Sequence, residues 1–479
     1  MPGATIGVRV RNTLSSGLAG LDSLRNSVLT RSPPMAEPET VAKDGAAATR
    51  RRAYRRWLLP IASLVAVYVT LATAYNIRVP LYEAPDEQSH VEYVDALYRT
   101  GRTPEIAKVY EAIGPPLYHA VGAAVLKLFG FSPPYIPLER NTDQSVRANL
   151  FVHNPGENDL PFRGPVLSIH VLRGVSTIFG SGTIVLIYFI ALLIFPKRPL
   201  LAWAAGANTA MLPQFAFIGG SVMNDTAVAF FGTAAVYASL KLMKAGAAPW
   251  VLVAAGSLAL GFLTEASMIV AATICGLALL FAPLSWRGRV LAISALVAVP
   301  LAVAGWFYVQ HLVEFGAVYP GDQIAQGPAF PLTSPVYRDV VVFAIQQSYW
   351  FTGGWMNVRV PGAMYAFFDV VTGMALGGMI VIVMGRGLTV FQRWGLVLLT
   401  ALFVMAVIEV LWVSSTISLA AQGRYLFVAQ PAMAFFLALG IGALFQRDVR
   451  RDHAAVVVLP IVLLALNVGI LTLTLPGAY

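Results

Sequence analysis

The sequence predicts an all-α protein that crosses a membrane many times, and three observations support this prediction. Of the 479 residues, 57% are hydrophobic and 12% are charged, whereas a soluble globular chain is about 25% charged. The mean hydropathy of +0.69 means that a water-surrounded core cannot enclose all the apolar side chains. The basic residues lie beside apolar runs, where they set membrane orientation, so the net charge of +9 does not indicate a nucleic-acid partner.

The N-terminal part of the chain predicts a tail followed by a first membrane span. Residues 1–56 are rich in Ser, Ala, Pro and Arg and have no sustained apolar periodicity, which is typical of a disordered segment. Five arginines between positions 50 and 56 precede an apolar run. That run is too long for the core of a signal peptide, so we expect a first transmembrane helix over 57–79. The single Cys275 makes an intrachain disulfide impossible.

Ten further apolar runs follow, and with the first they predict about eleven transmembrane helices. Each run approaches or exceeds the roughly 17 residues that a helix needs to cross the hydrocarbon region. The runs fall at about 166–195, 200–219, 226–243, 248–264, 266–283, 290–311, 364–385, 393–412, 424–445 and 454–475.

The charges of the short links predict the orientation. With a cytoplasmic tail, the external links near 220–225, 265 and 413–423 contain no Lys or Arg. The cytoplasmic links then contain eleven basic residues, which satisfies the positive-inside rule. These residues are Lys197, Arg198, Lys241, Lys244, Arg287, Arg289, Arg386, Arg393, Arg447, Arg450 and Arg451.

Two long segments lie outside in this scheme, and we expect the first to contain the chemistry. Residues 80–165 form a large first extracytoplasmic loop, and a second external loop at about 312–363 interrupts the multi-helix core of 166–479. In the first loop, 115–131 begins with two prolines and is short. We expect it to be an interfacial helix that does not cross, and 339–351 to be a second one.

An acidic stretch follows the first span directly. Within ten positions lie Glu83, Asp86, Glu87, His90 and Glu92. If a helix begins near Pro85, Asp86 and His90 are four residues apart on one face. One interpretation is that the acids only complement the positive helix end. The others are that one carboxylate acts as a general base, or that Asp86, Glu87 and His90 hold a divalent metal such as Mg²⁺ or Mn²⁺.

The motifs of this loop resemble the first periplasmic loop of GT-C glycosyltransferases. A first span is followed by PDEQSHVEYV, then GRTPEI, then GPPLYHAVGAAVLKLFG. The nearest branch is that of bacterial transferases that use polyprenyl-phosphate sugars, including the aminoarabinose and protein-mannosyl types. Further agreement lies at 172–176, 213–215, 224–225, 348–361 and 422–431.

This resemblance implies a function. In such enzymes the loop acid activates an acceptor hydroxyl or amine, which takes a sugar from a polyprenyl-phosphate donor on the outer face of the plasma membrane. Asp86 takes the catalytic position and Glu87 is its neighbour. The aminoarabinose branch has Glu-Lys directly before Pro-Pro-Leu, whereas this chain has Ile113-Gly114 with Glu111 further back. Phosphate binding must therefore come from elsewhere.

Other residues complete the predicted site. We expect Arg424, at the external mouth of the tenth span, to bind the donor phosphate, with Arg173 as the second candidate. Each has an alternative: Arg424 as a snorkelling anchor, and Arg173 in a structural ion pair with Glu265 or Glu409. The remaining candidates for substrate binding are His90, Glu111, Tyr118, Asp225, Trp355 and Tyr425.

Two other functions are compatible with this sequence. A transporter or flippase of lipid-linked sugars would have ionisable residues spread through its spans, whereas this chain places most of its acids in one external loop. A non-catalytic membrane protein of the same fold is the other alternative. The expected partners are the lipid-linked donor, membrane lipid and a glycan, lipid or protein acceptor in a bacterial plasma membrane.

Overall fold

A computed structural model describes residues 39–142, 149–157, 159–320, 333–335, 337–385, 387–417, 420–445 and 454–479. In this part of the chain, eight helices are long and apolar enough to cross a membrane. They are Trp57–Arg78, Gly164–Ile194, Asp225–Ala245, Trp286–Phe315, Gly362–Met384, Val390–Thr416, Gly423–Leu444 and Ala454–Ala478. The prediction of an all-α polytopic membrane protein is confirmed.

Each of the eleven predicted spans overlaps a helix, but three regions contain shorter ones. Ala248–Phe262 and Ala266–Phe281 occupy two of these regions. In the third, Pro199–Ala210 and Pro213–Gly219 follow one another. Pro213 separates them because proline has no N–H to continue the helical hydrogen bonds. The number of crossings stays a prediction.

The N-terminal region differs from the expected tail. Residues 1–38 lie outside the described residues, as do Arg386, Arg447, Arg450 and Arg451 of the orientation argument. Residues 39–56, which we expected to be disordered, are helical, and the first helix spans Glu39–Arg78. Its alanines and arginines have high helix propensity, which composition alone did not weigh.

Two helices form the centre of the membrane region. In the most apolar 18-residue stretch of each helix, 89% of the residues of Gly423–Leu444 and 78% of those of Asp225–Ala245 are buried, against 22% of those of Trp57–Arg78. The outer helices expose large apolar side chains such as Leu291 and Val383, as helices that contact lipid do. The central helices therefore depend on protein contacts for their position.

One helix crossing is close enough to require glycine. A Cβ atom added to Gly378 would lie 1.8 Å from the carbonyl oxygen of Gly440, and one on Gly440 would lie 2.1 Å from that of Ala375. Helix Gly362–Met384 therefore packs backbone to backbone on Gln430–Leu444. Small residues allow such approaches between membrane helices.

The first long segment contains three helices in its described part. Helix Glu87–Thr100 ends at Gly101, whose φ of 68° is left-handed, a common helix stop. A 3₁₀ helix, Tyr110–Ile113, follows. Leu117–Leu128 has 12 residues and is about 18 Å long, shorter than the roughly 30 Å of the hydrocarbon region.

The second long segment is partly outside the described residues, at 321–332 and 336. A π-helix, Tyr337–Val342, leads into helix Phe343–Trp350, close to the predicted 339–351. The strands Thr352–Gly353 and Val358–Arg359 then pair antiparallel, with Thr352 opposite Arg359. The last span is built from Ala454–Val457, Val458–Gly469, Ile470–Thr474 and Leu475–Ala478.

Candidate active site

Asp86 lies at the tight turn between the first span and helix Glu87–Thr100. Its φ is 61°, and that of Tyr82 is 65°, a left-handed conformation that aspartate tolerates better than most residues. Asp86 is the N-cap of the helix, but its side chain accepts no capping hydrogen bond. The carboxylate contacts the guanidinium of Arg424 instead. The turn thus directs Asp86 away from its own helix end.

Arg424 is buried among acidic and aromatic groups. Its side chain is 3% exposed. Nη2 donates to Asp86 and, at 3.3 Å, to the hydroxyl of Tyr425, while Nη1 donates to Asp225 Oδ2 at 3.3 Å. Within the described residues, Nε has no hydrogen-bond partner. A snorkelling anchor would extend towards water, so this environment favours a binding role.

Gly423 determines where Arg424 lies. Its N–H donates to Ser348 Oγ at 2.7 Å, and an added Cβ would lie 2.2 Å from the backbone nitrogen of Tyr349. Only glycine permits this approach to helix Phe343–Trp350. The second long segment therefore positions the arginine.

Asp225 is the second counter-ion. It is the first residue of helix Asp225–Ala245, where the positive end of the helix favours a carboxylate, and its side chain is 8% exposed. We call Asp86, Arg424 and Asp225 the arginine–aspartate cluster. With both acids ionised, two negative charges surround one positive charge, so the cluster is net negative.

Two glutamates add to this acidic environment. Burial, followed by the charges of Asp86 and Glu265, raises the pKa of Glu111 well above its usual range. Burial raises the pKa of Glu265 to about 7, although its Oε2 accepts from Asn224 Nδ2 at 3.0 Å. Sequence reasoning considered Glu265 only as a partner for Arg173. Its signal was its place as the single acid in the external link near 265.

His90 belongs to a buried histidine pair. Its Nδ1 lies 2.9 Å from Nε2 of His119, and the two rings stack. Its Nε2 is 3.8 Å from Glu111 Oε2. Burial, with a smaller contribution from Arg424, lowers the pKa of His90 to about 3, so the imidazole is neutral at physiological pH. The sequence did not single out His119.

Glu87 and Arg173 form a separate, fully buried ion pair, with both side chains 0% exposed. Arg173 Nε and Nη2 donate to Glu87 at 2.8 and 2.7 Å, and the remaining donors reach the carbonyls of Asn76, Val79 and Pro80. Glu87 also accepts from two backbone N–H groups. The expected ion pair of Arg173 with Glu265 or Glu409 is therefore wrong: the first turn of the loop helix provides a nearer acid, Glu87.

The aromatic candidates separate into two groups. Tyr425 stacks its ring 5.0 Å from the Arg424 guanidinium. Trp355 instead donates Nε1 to the carbonyl of Tyr82 at 3.1 Å, and Tyr118 is buried with its hydroxyl 2.7 Å from Ser176 Oγ. Tyr425 lies at the arginine–aspartate cluster, while Trp355 and Tyr118 support the elements around it.

The proposed metal ligands do not fit a metal ion. Asp86 contacts a guanidinium, Glu87 a second one, and His90 a histidine. In the described ranges, no group of three or more His, Cys, Asp and Glu is arranged to hold an ion. A cation beside Asp86 would also meet the positive charge of Arg424. The three proposed ligands therefore bind three different partners rather than one common ion.

An apolar cavity of about 250 Å³ opens between the membrane helices near this site. Leu426 lines it, and Leu426 belongs to the same short helix, Gly423–Ala429, as Arg424. Tyr349, which contacts Gly423, lines it as well. The other walls come from helices Phe343–Trp350, Gly362–Met384, Val390–Thr416 and Gln430–Leu444. A single short segment thus contributes to both the ionic cluster and an apolar cavity.

Comparison with known proteins gives structural similarity alone. No protein-family model matches the chain, and no curated protein matches it at a significant level. Among solved structures, the chain is similar to ArnT from Cupriavidus metallidurans bound to undecaprenyl phosphate, with 13% identity and a TM-score of 0.48, over 81% of this chain and 60% of that one. The structural neighbours of this chain are GT-C glycosyltransferases.

Two other solved structures have lower TM-scores. The archaeal oligosaccharyltransferase AglB from Archaeoglobus fulgidus, in complex with an inhibitory peptide and a dolichol-phosphate, has 11% identity and a TM-score of 0.43, over 87% of this chain and 56% of that one. The S. cerevisiae protein O-mannosyltransferase Pmt1–Pmt2 complex bound to the sugar donor has 19% identity and a TM-score of 0.37, over 53% of this chain and 34% of that one. The chain spans a third to three fifths of these neighbours. Similarities of this size assign no activity.

Proposed function

We propose that this protein is a glycosyltransferase that moves a sugar from a polyprenyl-phosphate donor to an extracytoplasmic acceptor. The observation that carries the proposal is the contact between Asp86 and Arg424. A carboxylate that can accept a proton lies beside a buried guanidinium that can bind a phosphate, and this pairing is what glycosyl transfer from a lipid phosphate requires.

The proposed reaction is a single displacement. Asp86 accepts the proton of an acceptor hydroxyl or amine while the acceptor atom bonds to the anomeric carbon of the sugar. The bond from that carbon to the phosphate oxygen breaks, and the phosphate leaves with the electron pair. Arg424 stabilises the negative charge that grows on this oxygen, and Asp225 holds the guanidinium in place.

The donor's lipid is the second part of the proposal. The walls of the cavity lined by Leu426 are almost entirely apolar, which suits an isoprenoid chain. Because Gly423–Ala429 carries both Leu426 and Arg424, the tail and the phosphate would bind to neighbouring faces of one segment. Arg424, which contacts Asp86 and Asp225, would supply the positive charge that neutralises the phosphate.

The membrane setting completes the proposal. The basic links predict a cytoplasmic N-terminal tail and place residues 80–165 outside, in a bacterial plasma membrane. A transporter would instead need charged groups available within its spans. Arg173 does not supply one, since its five hydrogen bonds use all of its N–H donors.

A transfer assay tests this function. Purified protein in lipid nanodiscs, supplied with radiolabelled polyprenyl-phosphate sugars and membrane acceptor fractions, should release label to an acceptor. Asp86→Asn should lower the rate by about 10²–10⁴. Asp159→Asn is the matched control, because Asp159 is an exposed carboxylate in the same segment. Near-normal transfer by Asp86→Asn would falsify the proposed mechanism.

A further inference from the structure

We infer that the donor phosphate displaces Asp86 from Arg424, so that the base becomes free only when a donor is bound. This inference rests on the proposed function and adds an order of events to it. The starting observation is that Asp86 and a phosphate would compete for the same edge of the guanidinium.

The unpaired Nε shows which edge is concerned. Nε and Nη2 of an arginine point to the same side and bind a carboxylate or phosphate as a fork. In Arg424, Asp86 takes Nη2 while Nε has no partner within the described residues. Asp86 thus uses half of the fork and leaves a buried donor unsatisfied, which is costly. A phosphate has oxygens for both donors and would satisfy Nε as well.

The second acid marks the edge that stays occupied. Asp225 contacts Nη1, on the other side of the guanidinium, at 3.3 Å. The side chain of Asp225 is 8% exposed, and the residue begins a central helix. The side chain of Asp86 is 25% exposed, and the residue lies on a turn. A partly exposed carboxylate on a turn can move into solvent at lower cost than a buried one. Asp86 therefore leaves, and Asp225 continues to orient Arg424.

Displacement changes what Asp86 can do. In the contact with Arg424, Oδ2 of Asp86 accepts from the guanidinium and is not directed at an acceptor. Once the phosphate holds Arg424, Asp86 faces the acceptor and takes its proton as the sugar is transferred. The polyprenyl phosphate then dissociates, Asp86 gives the proton to water, and the carboxylate returns to Nη2. The acceptor is therefore not deprotonated unless a donor is present.

Binding of undecaprenyl phosphate without sugar tests the displacement. The full-length protein in nanodiscs is titrated with the radiolabelled lipid at constant pH and salt. Asp86→Ala should bind it about tenfold more tightly than the wild type, since no carboxylate must be displaced. Asp225→Ala is the matched control: it removes the same charge from the same guanidinium but leaves the fork occupied, so it should gain little. Undecaprenol, which lacks the phosphate, should bind all three proteins alike.

The outcomes are distinct. Equal gains in Asp86→Ala and Asp225→Ala would mean that general repulsion acts rather than displacement, and no gain in Asp86→Ala would also overturn the inference. Asp86→Ser replaces Asp86→Ala if the latter fails to fold, with the same expectation. A wild type that transfers sugar while Asp86→Ala shows no gain refutes displacement alone. A wild type that neither binds the lipid phosphate nor transfers sugar refutes the proposed function.

Discussion

Asp86 and Glu87 are adjacent acids with different surroundings, so the same amide substitution should affect them in opposite ways. Glu87 is 0% exposed and neutralises the equally buried Arg173. In Glu87→Gln the guanidinium of Arg173 keeps its carbonyl contacts but loses the one charged partner that it has among the described residues. Removing one member of a buried ion pair typically costs about 3–5 kcal/mol. In Asp86→Asn, Arg424 keeps Asp225, and Asp86 is partly exposed, so we expect a cost of about 0–1 kcal/mol.

Two measurements on the same preparations separate the roles. Thermal unfolding of the detergent-solubilised proteins should show Glu87→Gln melting on the order of 5 °C lower than the wild type. Asp86→Asn should melt close to the wild type. Transfer is then measured below both melting temperatures. Asp86→Asn should transfer about 10²–10⁴ times more slowly than the wild type, and Glu87→Gln should keep most of its rate while folded.

The refuting result is a reversal of this pattern. If Glu87→Gln melts like the wild type but has lost transfer, Glu87 takes part in the chemistry and its hydrogen bonds are not structural. If Asp86→Asn is the less stable variant, the contact of Asp86 with Arg424 holds the fold together, and the acid is not a base.

Three further predictions concern the surrounding groups. The raised pKa of Glu265, about 7 against an ordinary 4.5, means that the folded protein binds this proton more tightly. The wild type should therefore lose stability relative to Glu265→Gln as pH rises from 4.5 through 7. The loss should be at most about 3 kcal/mol, and partial exposure of the side chain makes it smaller. Melting temperatures of both proteins across this pH range measure it. Arg424→Ala should weaken both lipid-phosphate binding and transfer in the nanodisc assays, and Arg424→Lys should recover part of each. With Cys275 buried, an impermeant thiol reagent should label Ser89→Cys but not Ser285→Cys in intact cells, and the opposite pattern would invert the topology.

Much of the fold follows from local patterns. Apolar runs locate the helices because lipid leaves the backbone no other way to satisfy its hydrogen bonds. The short helices at 117–128 and 343–350 were also predictable, since each is a short apolar run beside prolines or aromatics. Their position at the membrane interface stays a prediction. The break at Pro213 and the short helix Ala266–Phe281 were harder, because their length depends on neighbours that composition does not describe.

The site was predictable in its residue types but not in its pairings. Asp86 and Arg424 stood out because both are ionisable residues at the mouths of apolar spans. Arg173 was assigned the wrong partner, since Glu87 is distant in sequence and its burial is a tertiary effect. His119 carried no local signal, and Glu265 had only its place as the single acid in the link near 265. Only packing brings them near Glu111 and His90.

The contact at Gly423 has a consequence for the membrane around the protein. An arginine that reaches for lipid headgroups shifts when the bilayer becomes thinner or thicker. Arg424 cannot follow the lipid in this way, because the Gly423 backbone rests on Tyr349 and hydrogen-bonds to Ser348. A change of bilayer thickness would be absorbed by tilting of the outer, lipid-exposed helices. The spacing between Asp86 and Arg424 would then be a property of the protein, the same in every membrane that the chain can enter.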